Sequence, residues 1–250
     1  MHKVSSPKAA KKPQDRAKKI VKKTIKKADL ENFSKAGIDH KLVAGRKTNG
    51  QGVFSMLMEG KKEAKAELFS SMLAGRQSDG RTALMLVFAT DLNGEKELFP
   101  REELFKLLDG LRILNIKVVV IDTEQPSDLN NLSELSEHQA GQIIWYNPRQ
   151  DNSGRGREEK EIDRLLMAAD MAVVFHNQMD LIKLMLNYGI VIVAEDKSPL
   201  LDNYRPNEET GNAFLFNKKD LWSVFAAIVR ALETHKFPYD WNHIIRQICK

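Results

Sequence analysis

From residue 83 onward, short continuous apolar runs alternate with longer stretches in which apolar residues recur every three or four positions. The continuous runs are ALMLVFA (83–89), KVVVID (117–122), QIIWY (142–146), MAVVF (171–175), IVIVAE (190–195) and NAFLF (212–216). A strand covered on both faces has apolar side chains at every position, so these runs predict strands of a buried parallel sheet. The intervening stretches predict helices. PREELFKLLDGLRIL (100–114) opens with Pro100 and places Leu104, Leu107, Leu108 and Leu111 on one face. SDLNNLSELSEH (127–138) has Ser127 as its N-cap, EEKEIDRLLMAAD (158–170) follows, and DLIKLMLNYG (180–189) closes on Gly189. KKDLWSVFAAIVRALETH (218–235) is a long amphipathic helix, and YDWNHIIRQICK predicts one more. Upstream, a Gly-containing loop, AGRKTNGQG (44–52), precedes a helical pattern over 60–74.

Strands alternating with helices in this way predict an α/β fold built on a doubly wound, mostly parallel, Rossmann-like sheet. Sheets of that kind bind ligands outside the carboxyl ends of their strands. The function question becomes one of what stands at those ends.

Charge divides the chain into a tail, residues 1–37, and a domain, residues 38–250. Residues 1–30 hold ten Lys and one Arg against Asp15 and Asp29, a net +9, whereas the remainder is −4. The sequence pI near 9.1 therefore describes the tail. A mildly acidic domain argues against a broad nucleic-acid surface on it. Residues 1–13 read as a solvated, Pro-punctuated segment. From Gln14, Ala17, Ile20, Val21, Thr24 and Ala28 recur at helical spacing, with paired lysines on the other face. The candidate partner-binding residues are Lys11, Lys12, Lys18, Lys19, Lys22, Lys23, Lys26 and Lys27. They fit an anionic macromolecule: a nucleic acid, a ribonucleoprotein, an acidic protein or an anionic membrane surface. A solubilising tail, or one docked on its own acidic domain, fits the same pattern. No aromatic residue interleaves the lysines before Phe33, so base stacking has little support.

The remaining chemistry is sparse. No run is apolar enough for a transmembrane segment, and no secretory signal is evident, so a cytoplasmic location is expected. Cys249, the lone cysteine, excludes an intrachain disulfide. His40, His138, His235 and His243 lack metal-ligand spacing, so no metal and no cofactor are expected. DNSGRGRE (151–158) carries Arg155 and Arg157 but lacks the framing of a phosphate loop, and reads as an exposed loop. Asp122, after a strand, lacks a preceding glycine fingerprint. EKE (95–97) and REE (101–103) read as solvated charge, and Trp145, Trp222 and Trp241 as core or docking residues.

The order of pieces resembles the C-terminal Rossmann-like domain of GT-B glycosyltransferases of the glycogen and starch synthase type. LLMAADMAVVF, NYG, IVIVAEDKSPLLDNY, TGNAFLF and LWSVFAAIVRAL, all within 165–232, resemble that family's ILAGADLFLMPS, AMRYG, PVVRRTGGLADTV, TGFVF and ALAWALRRAL. Upstream, GKKEAKAELFSSML resembles its linker helix GKAANKAALQEEL, and LMLVFATDLNGEKEL its IGVVSRLTDQKGL. The resemblance covers roughly residues 38–240. It implies a nucleotide-sugar donor site formed here by Lys96, His176, Lys197, Thr210 and Gly211.

The chemistry departs from the family. Lys96 stands at the family's Lys, but Asp91 stands where its Arg neutralises the donor diphosphate, and a carboxylate there repels phosphate. In FHNQMDLI, against the family's FEPCGLTQ, His176 replaces the acid and Met179 the glycine whose bare amides face phosphate. Lys197-Ser198-Pro199 replaces TGG. A GT-B enzyme also needs a second Rossmann-like domain to hold the acceptor, and only one is legible here. No catalytic residue is assigned. The expected function is a non-catalytic glycosyltransferase-like domain serving as a binding or scaffolding module, tethered through its tail. The alternatives are a glucan synthase subunit that binds ADP-glucose or UDP-glucose and works with a separate N-terminal half, and a non-specific nucleic-acid-binding protein.

Overall fold

The computed structural model describes residues 50–71, 82–91, 96–123, 142–148, 155–175, 178–217 and 220–249. The tail lysines, His176 and the predicted helix 127–138 lie outside them. The elements are α1 (Gly50–Ser71), β1 (Ala83–Phe88), α2 (Arg101–Leu111), β2 (Ile116–Ile121), β3 (Ile143–Tyr146), α3 (Arg155–Ala168), β4 (Met171–Val174), α4 (Met179–Asn187), β5 (Val191–Glu195), a 3-10 turn (Pro206–Glu208), β6 (Ala213–Phe216), α5 (Leu221–His235) and α6 (Pro238–Ile248).

The six strands form one sheet in the order β3-β2-β1-β4-β5-β6, and every neighbouring pair is parallel. This is the Rossmann-like α/β sheet predicted above. Each apolar run became a strand because alternate side chains enter separate cores. Met85 and Val87 of β1 face a layer formed by α2, α5 and α6, while Leu84, Leu86 and Phe88 face one formed by α3 and α4. β1 is buried at all six positions, whereas β3, at one edge, is only partly covered. Full burial of one such aliphatic side chain contributes roughly 1.5–3 kcal/mol.

Two sequence expectations are corrected. α1 begins at Gly50, so Gly50–Gly52 belong to the helix and not to the loop assigned over 44–52. Leu57 is buried and Phe54 packs on that core, and this packing outweighs the low helix propensity of glycine. Arg155–Glu158, read as part of an exposed loop, open α3. The Leu165 and Leu166 face of that helix is buried, and its first turn extends into the glycine-containing stretch. All four leucines predicted for the inner face of α2 are buried. Gly189 takes φ +60 at the end of α4, the left-handed cap its position demanded.

Candidate functional site

The order of strands reverses between β1 and β4, so the crevice lies outside the carboxyl ends of those two strands. Its floor is aromatic. Phe99 meets Phe175 edge to face, and Phe175 lies 5.8 Å from Phe216. Phe99 and Phe216 are buried and Phe175 partly so. Beside this floor the loops after β1 and β2 are tied together. The hydroxyls of Thr90 and Thr123 are 2.9 Å apart, and the Thr123 amide donates to Thr90 Oγ1 at 3.0 Å. Both threonines are buried.

Next to that pair, Asp122 is fully buried and faces Arg101 Nη1 at 3.0 Å. Arg101 opens α2, and its amide donates to Glu97 Oε1 at 3.2 Å. The charges read as solvated at 97 and 101 are therefore structural: Glu97 receives a free amide of α2, and Arg101 balances a buried carboxylate. The sequence signal was Asp122 directly after an apolar strand, a position where an unpaired charge is costly. This carboxylate meets its guanidinium inside the protein.

The predicted donor-site residues fall in two places. Asp91 and Lys96 close a turn on each other: the Asp91 amide donates to the Lys96 carbonyl at 2.9 Å, and the Lys96 amide donates to Asp91 Oδ1 at 3.2 Å. The Asp91 carboxylate thus holds its own loop. Lys96 itself is exposed. Lys197, after β5, pairs with Glu195 Oε1 at 2.6 Å, and the Glu195 side chain is almost covered. Ser198 is buried and donates to Met179 Sδ at 3.5 Å, so the thioether spans from the start of α4 to the β5 turn. Asp180 adds a carboxylate to the first turn of that helix. Lys96 and Lys197 follow the carboxyl ends of β1 and β5. Thr210 and Gly211 precede β6 and so sit at the amino end of the sheet. Thr210 Oγ1 accepts from Arg205 Nε at 3.2 Å. Gly211 has φ +98, and a β-carbon there would lie 2.4 Å from the Asn203 carbonyl oxygen. Its role in the structure is to let two chain segments cross.

A second polar cluster, missed in the sequence, lies at the amino end of β4. Asp170 accepts from the Leu84 amide at 2.7 Å and from Lys65 Nζ at 2.6 Å, with His235 Nε2 at 3.7 Å. Lys61, buried on α1, donates to the Ala169 carbonyl at 2.5 Å. Burial lowers the Lys61 ammonium to about 8, against an opposing pull from Asp170. Burial pushes the Asp170 carboxyl up, but the nearby His235 ring and the Lys65 ammonium outweigh it and hold the group below the carboxylate range. Lys61 and Lys65 are four residues apart on one helix, which is the trace this cluster leaves in the sequence. Cys249 is half-buried, and burial raises its thiol. Among the described residues no group of three or more His, Cys, Asp or Glu side chains could hold a metal ion. No described helix is long and apolar enough to cross a membrane.

No protein-family model and no curated protein matches this chain. Among solved structures it is similar to the crystal structure of TarM, a GT-B glycosyltransferase, with a TM-score of 0.43 and 9% identity. That match covers 70% of this chain and 33% of TarM, so the chain spans about a third of the protein it resembles. The likeness lies in the parallel Rossmann-like sheet.

Proposed function

We propose that this chain is a non-catalytic glycosyltransferase-like domain that serves as a binding or scaffolding module, tethered to an anionic macromolecule by its Lys-rich tail. The observation that carries this reading is the state of the crevice. Its floor is built from Phe99, Phe175 and Phe216, Asp91 is committed to its own loop, and Met179 reaches across to Ser198. A diphosphate bound there would need bare amides or convergent cations. Lys197 is engaged by Glu195. The segment-by-segment resemblance to glycogen and starch synthases, together with the strand order, supports descent of the fold from a donor-binding domain. Function resides in the site, and a fold can persist while its site changes.

The test is thermal unfolding of the full chain in the presence of ADP-glucose and UDP-glucose. A ligand at about 100 times its dissociation constant adds about 2.7 kcal/mol of stability. In a domain near this size that raises Tm by roughly 5–10 °C. The expected result is no shift up to millimolar donor. A shift that Lys96→Ala abolishes would overturn the reading in favour of a glucan synthase subunit with a working donor site.

A further inference from the structure

The sheet ends in two edge strands, and the chain treats them differently. At β6 the Phe216 carbonyl faces inward, where it accepts from the Asp196 amide that follows β5, so Ala213 and Leu215 face outward. All four backbone groups of those two residues are met from within the chain. The Ala213 amide donates to the Asp202 carbonyl at 3.0 Å, and the Ala213 carbonyl accepts from the Tyr204 amide at 2.7 Å. The Leu215 amide donates to Asn203 Oδ1 at 2.9 Å, and the Leu215 carbonyl accepts from Arg230 Nη2 at 2.7 Å. An edge satisfied in this way has nothing left for another strand.

β3 is built otherwise. The Gln142 carbonyl accepts from the Val118 amide at 2.8 Å, and the Tyr146 carbonyl from the Asp122 amide at 3.0 Å. Residues 142, 144 and 146 therefore aim their backbone groups at β2, and Ile143 and Trp145 aim theirs away from the sheet. Among the described residues nothing meets those outward groups, because β3 is the last strand of its side. The Trp145 indole Nε1 is also covered and lacks a hydrogen-bond partner among them. A row of unmet main-chain groups is a template for one more strand. The sequence does not blunt it: Gln142 to Asn147 hold no charge and no proline.

The symmetry of the edge names the occupant. Ile143 and Trp145 flank Ile144, so an identical strand running the opposite way, related by a twofold axis at Ile144, matches them group for group. Each Ile143 amide donates to the partner's Trp145 carbonyl, and each Trp145 amide to the partner's Ile143 carbonyl. Isoleucine then lies beside tryptophan on the face where Trp145 stacks on Phe105, a β-branched and aromatic pair of the kind that stabilises sheets. The joined sheet has a satisfied β6 at both ends, so the assembly closes at two copies.

We propose that two copies of this chain join through β3, antiparallel and centred on Ile144, to form one continuous sheet. This contact uses no residue of the crevice, so it stands independently of the donor-site reading.

Sedimentation of the full chain from about 1 µM to about 200 µM should carry the mass from one chain to two and no further, as mass action on a closed pair requires. Ile143→Pro removes an outward donor and none of the bonds to β2, so it should keep the native circular dichroism and weaken association at least about tenfold. Ile143→Lys adds the charge that blunts natural edges and should do the same, and it carries the test where the proline variant fails to fold. Cross-linking in a Cys249→Ser background reads the register. Copies of residue 144 face each other with α-carbons about 4.5 Å apart, within disulfide range, whereas copies of residue 143 lie diagonally at about 7–8 Å. With oxidised glutathione, Ile144→Cys should therefore link to its copy at least about tenfold faster than Ile143→Cys. A chain that stays single over the whole concentration range overturns the proposal. A dimer left intact by the edge variants also overturns it, and so does equal cross-linking at 143 and 144.

Discussion

Lys61 holds a charge where water does not reach, and that fixes how stability should vary with pH. Its folded value of about 8 lies below the ordinary 10.5, so between those limits the unfolded chain binds more protons than the folded one. Stability from this group should therefore rise as pH climbs from about 8 to about 10.5, by up to roughly 3 kcal/mol, and be absent below. Lys61→Met should flatten that alkaline rise and leave the protein as stable or more stable at pH 7, since an apolar side chain of similar volume avoids burying a charge. Urea unfolding across the pH range reads both effects. Asp170 acts in the other limb. Its folded value is depressed, so its contribution is complete above the unfolded carboxylate value and is lost as pH falls towards the folded one. Asp170→Asn should lose that contribution at neutral pH and unfold with a weaker acid dependence. Gly211→Ala makes a steric test: φ +98 and the Asn203 carbonyl leave no room for a methyl group, so a loss of about 1–3 kcal/mol or more is expected in the same measurement.

At the scale of elements, burial decides which side chains matter. Leu108 on α2 is fully buried, whereas Ile113, just beyond that helix, is 82% exposed. Leu108→Ala should lower unfolding free energy by about 2–5 kcal/mol, and Ile113→Ala should fall within about 0.5 kcal/mol of the parent. The sequence distinguishes these two because Leu104, Leu107, Leu108 and Leu111 repeat at helical spacing, and position 113 breaks the repeat. The strands were legible to within one residue at each end for the same reason: β1, β2, β4 and β5 need apolar side chains on both faces, and few other structures do. Helix starts were less legible. Gly50 and Gly52 weaken a helix locally, and only the contacts of Phe54 and Leu57 reveal that the helix extends through them. The crevice was half legible. Met179 and Asp91 stood out by type as departures from the resembled motifs, but their contacts with Ser198 and with the Lys96 amide were not legible. The pairing of Arg101 with Asp122, and of Lys61 and Lys65 with Ala169 and Asp170, joins residues from different elements, and no spacing in the sequence encodes such meetings. The three tryptophans show the same limit: Trp241 is buried, Trp145 stacks on Phe105, and Trp222 is 81% exposed.

At the scale of the molecule, the charges separate into a tail of +9 and a body of −4, and this division makes its own prediction. If the tail is the tether, binding to a polyanion should depend on tail lysines and be indifferent to the crevice. Duplex DNA of arbitrary sequence serves as a generic probe. Each phosphate neutralised contributes about −0.9 to the slope of log K against log salt, so engagement of eight lysines gives a slope near −7. Replacing Lys18, Lys19, Lys22 and Lys23 by Gln should reduce that slope by about half, with equal losses on unrelated sequences, because phosphate contacts carry no base information. Lys96→Ala and Lys197→Ala should leave both slope and affinity unchanged, since neither residue lies in the tail and Lys197 is already paired with Glu195. Fluorescence anisotropy over a salt series measures all of these. A slope that follows Lys96 and Lys197 would place the anion site on the domain. A slope that follows the tail alone would place recognition outside the sheet, in the part of the chain where the positive charge is concentrated.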